Sequence, residues 1–373
     1  AKLVGIIKST STVSPTNSPT TSPTSSPSVS PTSSLTTSPT TSPTSSPTVS
    51  PTNSPTTSPT VSPTNSPTNS PTNSPTASST TSPTQVIEDN TKGINNIIYN
   101  GVNRQFYLYI PDNYKKDDSI PILFNCHGGG GSISSHINVV SDMRNLAENN
   151  NFILVYPQAL NGSWIDKKGS DKNDIYFIEN IIDYLGNKYN IDLNRVYACG
   201  YSEGAIFCHE LACRLSNKIT GIAAVAGSML TDQYRQELGF SGCNPDHPTP
   251  ILLMLGTNDQ NFHGNYNGFS PYYMSVEDTI NFWLNSNNII TTPEINNLTN
   301  TNTTDNSSVE KRLWKNGKGG VQVLEMKIKD GGHDWPGTFG NMDINANDEI
   351  WDFLSKFNRY GLIGDTSNTI SPT

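Results

Sequence analysis

Seven short apolar runs recur along the later part of the chain, centred on residues 106–110, 122–126, 152–156, 196–199, 222–226, 251–255 and 321–328. Each is brief and dominated by Ile, Val, Leu, Phe or Tyr, the profile of strands buried against other layers. Helix-like patterns fall between most of them. This alternation predicts an α/β fold: a mostly parallel sheet with helices on both faces and a ligand crevice at the carboxyl ends of the strands. Residues 86–365 are long enough to build one such domain around a well-buried core.

The pattern is absent from the start of the chain. From Ser14 to Thr84 proline recurs every fourth residue, with Leu35 and Ser79 standing in two of the proline slots. No charged residue lies between Lys8 and Glu88, and aliphatic residues are scarce, so nothing there can form a core. Residues 1–85 are therefore expected to be a disordered Ser-Pro-Thr repeat linker, stiffened toward polyproline II and suited to O-glycosylation. The triplet returns at Ser371-Pro372-Thr373, so residues 366–373 read as the start of a second linker or tail. Ala1-Lys2-Leu3-Val4-Gly5-Ile6-Ile7 is too short for a signal peptide or membrane span and reads as the cut edge of a longer precursor.

Gly200-Tyr201-Ser202-Glu203-Gly204 follows the run ending at Cys199 and precedes a helix-like run from Ala205 to Leu215. A strand-turn-helix with glycine two residues either side of serine is the form of a nucleophile elbow, which holds the hydroxyl where a base can reach it. His127-Gly128-Gly129-Gly130-Gly131 opens after the 122–126 run; its bare N–H groups suit an oxyanion loop. Asp259 follows the 251–255 run, as the candidate acid or as the head of an Asx turn. His333 follows the 321–328 run and is the candidate base. Asp334 adjoins it, but neighbouring side chains on extended backbone point apart. The chain order Ser202, Asp259, His333 is that of the α/β-hydrolases.

The other histidines, His136, His209, His247 and His263, are expected in surface or loop positions, with His263 close enough to Asp259 to line the same mouth. No spacing suggests zinc, and the glycine loop lacks the Lys and Ser/Thr of a phosphate loop, so no metal or cofactor is expected. With 23 basic and 32 acidic residues the net charge of −9 offers no footing for nucleic acid or an anionic membrane.

From about Asn100 to Tyr360 the chain resembles the polyhydroxybutyrate-depolymerase-like esterases, the group that includes secreted feruloyl and acetylxylan esterases. The likeness runs through Asp174-Ile175-Tyr176-Phe177-Ile178, Lys188-Tyr189-Asn190-Ile191-Asp192, Leu211-Ala212-Cys213, Pro250 to Asp259, Ser275-Val276-Glu277-Asp278 and Gly331-Gly332-His333-Asp334-Trp335-Pro336-Gly337. It implies an α/β-hydrolase fold, a nucleophile at Ser202, an acid at Asp259 and a base at His333. The oxyanion would be held by the backbone of Glu203, Gly128 and Gly129. It also implies a Cys213–Cys243 disulfide, leaving Cys126, Cys199 and Cys208 unassigned among the five cysteines.

Glu203 departs from the family pattern, and its carboxylate, which would oppose a developing oxyanion, is expected to turn outward to solvent or to a basic partner. Trp164, Tyr201 and Trp335 are candidate substrate-binding residues. For the two tryptophans, stacking on an aromatic acyl group and packing under a loop stand as alternatives. The resemblance implies a secreted serine esterase acting on esters attached to plant cell-wall polysaccharide: feruloyl first, acetyl or hydroxyalkanoate as alternatives, a non-catalytic wall-binding protein as another class. A missing carbohydrate-binding or docking module would suit the linkers. Sequons at Asn161, Asn297, Asn302 and Asn306 permit N-glycosylation, and 296–308 reads as an exposed insertion.

Overall fold

Runs of β-branched and aromatic residues fit a pleat covered on both sides, and each of the seven becomes a strand. The computed structural model describes residues 85–86, 90–164 and 173–364. The Ser-Pro-Thr repeat and the carboxyl-terminal triplet lie outside the described residues. The strands are β1 (Gln85–Val86), β2 (Lys92–Tyr99), β3 (Val102–Tyr109), β4 (Ile120–Cys126), β5 (Ile153–Pro157), β6 (Ile191–Tyr201), β7 (Gly221–Val225), β8 (Ile251–Gly256), β9 (Glu294–Asn297), β10 (Ser308–Trp314) and β11 (Val323–Lys329). The helices are α1 (Ile133–Ser135), α2 (Arg144–Asn150), α3 (Asp174–Lys188), α4 (Glu203–Arg214), α5 (Asp232–Glu237), α6 (Val276–Ser286) and α7 (Ala346–Leu354).

One sheet runs β1-β2-β3-β5-β4-β6-β7-β8-β11-β10-β9. Its centre, β5-β4-β6-β7-β8-β11, is parallel, and antiparallel pairs flank it on each side. From β4 the chain goes to β5 on one side and then returns to β6 on the other. The loops after β4 and β6 therefore diverge and leave a crevice between them.

Alternation along the central strands divides the core in two. Ile122, Phe124, Ala198, Ile222, Ala224, Leu253 and Leu255 face a layer built by α3, α4 and α6. Leu123, Tyr197, Cys199, Ala223, Val225, Leu252 and Met254 face the layer of α2 and α7. The helix after the serine is covered all round: every residue from Glu203 to Cys213 is buried. Its polar members are paired, Glu210 bridging Arg214 and the fully buried Arg235.

Two differences from the sequence reading have physical causes. Strands β1, β2, β9 and β10 went unread; they lie toward the sheet margins, where polar residues break the apolar run, and β9 is exposed along its whole length. His136 and His209 are core residues rather than surface ones, at 1% and 0% exposure. His136 Nε2 bonds Asn125 Oδ1 at 2.8 Å, and His209 Nδ1 accepts from Trp283 Nε1 at 3.1 Å. Burial pushes both imidazoles down to about 3, so both are neutral. The 296–308 stretch is largely exposed, as expected, and joins β9 to β10.

Candidate active site

Ser202 closes β6 and caps α4 at φ 56°, ψ −119°. A serine pays roughly 1–3 kcal/mol to hold such a conformation, which persists only where its surroundings over-determine it. The glycines explain how the turn is accommodated. A Cβ on Gly200 would lie 2.4 Å from the Gly204 carbonyl oxygen, and one on Gly204 would lie 2.4 Å from that of Cys126. The Ser202 N–H donates to the Val225 carbonyl at 2.9 Å, anchoring the elbow to β7.

Asp259, three residues past the end of β8, and His333, four past the end of β11, meet across neighbouring strand ends. His333 Nδ1 and Asp259 Oδ2 are 2.7 Å apart; the carboxylate side chain is fully buried and the imidazole about one-fifth exposed. Asp334 points elsewhere, accepting the Gly332 N–H at 2.9 Å. The Asx turn also exists: Asp259 Oδ1 accepts the Asn261 N–H at 2.8 Å while Oδ2 serves the histidine. Gly264 packs so closely here that a Cβ would fall 2.3 Å from Asp259 Oδ2 and 2.5 Å from His333 Nδ1.

Tyr201, next to the serine, donates its hydroxyl to the His333 carbonyl at 2.7 Å and sets its ring 5.0 Å from the imidazole. That contact brings the histidine loop against the elbow. Among the described residues, the Ser202 hydroxyl makes no hydrogen bond to His333.

The glycine loop lies over the elbow. A Cβ on Gly128 would sit 3.4 Å from the Ser202 Cβ, and one on Gly129 would sit 2.9 Å from Glu203 Oε2. Among the described residues no protein acceptor takes the N–H of Gly128 or Gly129. The loop is braced from the segment after β5. Gly130 donates to the Gly162 carbonyl at 2.8 Å, and Trp164 Nε1 to the His127 carbonyl at 2.6 Å. His127 Nε2 accepts from the Ala159 N–H at 3.1 Å and from Gln158 Nε2 at 3.0 Å, which leaves its proton on Nδ1, 2.7 Å from the Gly128 carbonyl. Burial lowers the His127 pKa and holds it in this neutral form.

Two expectations are corrected. Glu203 does not turn to solvent: it is 6% exposed, lies beneath Gly129, and its Oε1 accepts from Ser163 Oγ at 2.7 Å. The elbow places its side chain at the first turn of a buried helix, under the glycine loop. Trp164 and Trp335 do not line an open pocket. Trp164 is stacked on Phe207, and Trp335 has no exposed surface and donates to Asn347 Oδ1 at 3.0 Å. Tyr201 is half-buried, with its hydroxyl committed to the His333 loop.

The sequence reading missed an aromatic ledge beside the acid. Phe262 and Phe269 are 39% and 40% exposed with ring centroids 4.9 Å apart, and Tyr272 lies 5.4 Å from Phe262. His263 joins them to the site; burial, and then the charge of His333, lower its pKa. The available signal was density: five aromatic residues fall within 262–273.

No family model matches the chain. A bifunctional acetylxylan esterase/xylanase of Neocallimastix patriciarum is 26% identical over 270 residues, covering 72% of this chain and 35% of that protein. Feruloyl esterase B of Piromyces equi is 27% identical over 266 residues, covering 68% and 45%. The resemblance to feruloyl and acetylxylan esterases holds. Among solved structures, an acetyl xylan esterase from Aspergillus awamori has a TM-score of 0.48 at 16% identity, covering 73% of this chain and 99% of that one. The chain spans about half or less of the length of these two curated relatives. As the resemblance implied, Cys213 and Cys243 form a disulfide; Cys126, Cys199 and Cys208 are free and buried.

Proposed function

We propose that the protein is a serine carboxylic ester hydrolase acting on esters carried by plant cell-wall polysaccharide. The 2.7 Å bond from His333 Nδ1 to Asp259, beside a serine held in a strained elbow, carries the reading. With Nδ1–H bound to the carboxylate, Nε2 is left basic, and Asp259 stabilises the imidazolium once it forms. Ser202 Oγ loses its proton to Nε2 and attacks the ester carbonyl; the N–H groups of Gly128, Gly129 and Glu203 receive the oxyanion. Collapse breaks the ester C–O bond, and His333 returns the proton to the leaving alcohol. Water, deprotonated by His333, then attacks the acyl-enzyme and releases the acid and Ser202. The Ser202–His333 hydrogen bond that this step requires forms when substrate fills the crevice, as catalytic hydrogen bonds left open in unliganded sites do.

Feruloyl esters on xylan are the proposed substrates. The support is the likeness to feruloyl esterases, since the buried tryptophans supply no aromatic pocket. Acetylated xylan is the second reading, favoured by the likeness to a bifunctional acetylxylan esterase/xylanase. The disulfide suits an oxidising, extracellular compartment. The Ser-Pro-Thr repeat over 1–85 would act as a tether to a further module, raising the local concentration of a catalytic domain over 86–365 at an insoluble polymer. Methyl ferulate, acetylated xylan and polyhydroxybutyrate, each assayed with wild type and Ser202→Ala, test these statements. Turnover of a xylan-type ester by wild type alone is expected; equal inactivity of the two proteins on all three substrates would overturn the esterase reading.

A further inference from the structure

The aromatic ledge stands on the histidine side of the crevice, and the histidine is the group that protonates the departing alcohol. The acyl group must lie toward the glycine loop, where its oxyanion is held. What extends over His333 and His263 is therefore the alcohol portion of the ester, which on a cell-wall substrate is a chain of sugar rings. Phe262 and Phe269 present about two-fifths of their surface to solvent, although Tyr273, which both touch, is buried. Phe269 and Tyr272 are close to parallel, with centroids 6.1 Å apart and an interplanar angle of 26°.

Beyond Phe269 the ledge runs into a groove of about 510 Å³, whose wall includes Asn267, Ser270, Asp278, Asn281 and Asn285. Phe269 and Tyr272 offer nearly parallel faces while Phe262 stands across Phe269 at 66°; bordered by amides, a hydroxyl and a carboxylate, these rings match the two surfaces of a pyranose, an apolar C–H face and a rim of hydroxyls. A protein partner would instead call for a broad apolar patch depleted of such groups at its centre.

We propose that Phe262, Phe269 and Tyr272 form a platform for the sugar rings of the leaving polysaccharide, continued by the groove beyond Phe269. The proposal rests on the ester-hydrolase reading and names the part of the substrate that this face recognises. It assigns specificity for polymer over small esters to a segment that takes no part in the chemistry.

The test uses the full chain with Phe262→Leu and Phe269→Leu together, which keep apolar bulk but remove the flat faces; thermal unfolding reports whether the fold survives. The ratio of kcat/KM for esterified xylan to kcat/KM for 4-nitrophenyl acetate is expected to fall about tenfold, the loss appearing in KM for the polymer. An unchanged ratio overturns the platform. A second arm measures binding of unesterified xylohexaose to Ser202→Ala with and without the two leucines, which are expected to weaken it about tenfold. Equal affinity overturns the proposal. If wild type hydrolyses no ester, the esterase reading fails, and the xylohexaose arm still decides the platform.

Discussion

Ser163 Oγ donates to Glu203 Oε1 at 2.7 Å, joining the loop after β5 to the residue that follows Ser202. The same loop holds Gly130 through Gly162 and His127 through Trp164, so one short segment positions both halves of the proposed oxyanion site. Ser163→Ala removes a donor from a buried carboxylate and should destabilise the protein by about 1–3 kcal/mol. Because this carboxylate lies under Gly129, kcat for a small ester should fall more than KM rises. Denaturant unfolding and steady-state kinetics check this; wild-type values for both would remove Glu203 from the support of the oxyanion loop.

Asp259→Asn preserves the shape of the acid but ends its capacity to hold Nδ1–H and to balance an imidazolium. In a Ser-His-Asp arrangement that exchange costs about 10⁴ in kcat. The measurement is kcat on methyl ferulate or 4-nitrophenyl acetate, with Asp334→Asn as comparison. A larger loss at Asp334 would reassign the acid.

His136 and His209, pushed down to about 3 by burial, titrate in the folded protein well below the usual 6.5. The unfolded chain therefore binds more protons between those values. Their contribution is complete above the unfolded pKa and is lost as pH falls through the window from 6.5 toward 3. Each supplies a slope of roughly 1.4 kcal/mol per pH unit within it. Urea midpoints should drop on going from about pH 7 to about pH 5. A flat profile across that interval would mean that neither imidazole is held neutral.

The Cys213–Cys243 bridge ties the end of α4 to the segment before β8 across 30 residues. Replacing both cysteines by serine should lower stability by about 2–4 kcal/mol. Thiol titration of the denatured, unreduced protein should return three thiols, those of Cys126, Cys199 and Cys208. Five would show that the bridge does not form.

Much of this architecture is written locally. Seven strands follow from apolar runs whose residues pack on both sides of a sheet, and the elbow follows from two glycines around a serine at a strand-to-helix junction. Chain order alone nominated Ser202, Asp259 and His333, because loops at the carboxyl ends of parallel strands share one crevice. What no local pattern carries is the direction a side chain takes once neighbouring layers close over it. Tertiary packing put Glu203 under the glycine loop, turned Trp164 and Trp335 into props, buried His136 and His209, and left Phe262 and Phe269 in solvent. It also set Asp259 against the His333 imidazole and turned Asp334 away, because hydrogen-bond geometry depends on distance in space, and Asp259 is far from His333 along the chain while Asp334 is beside it.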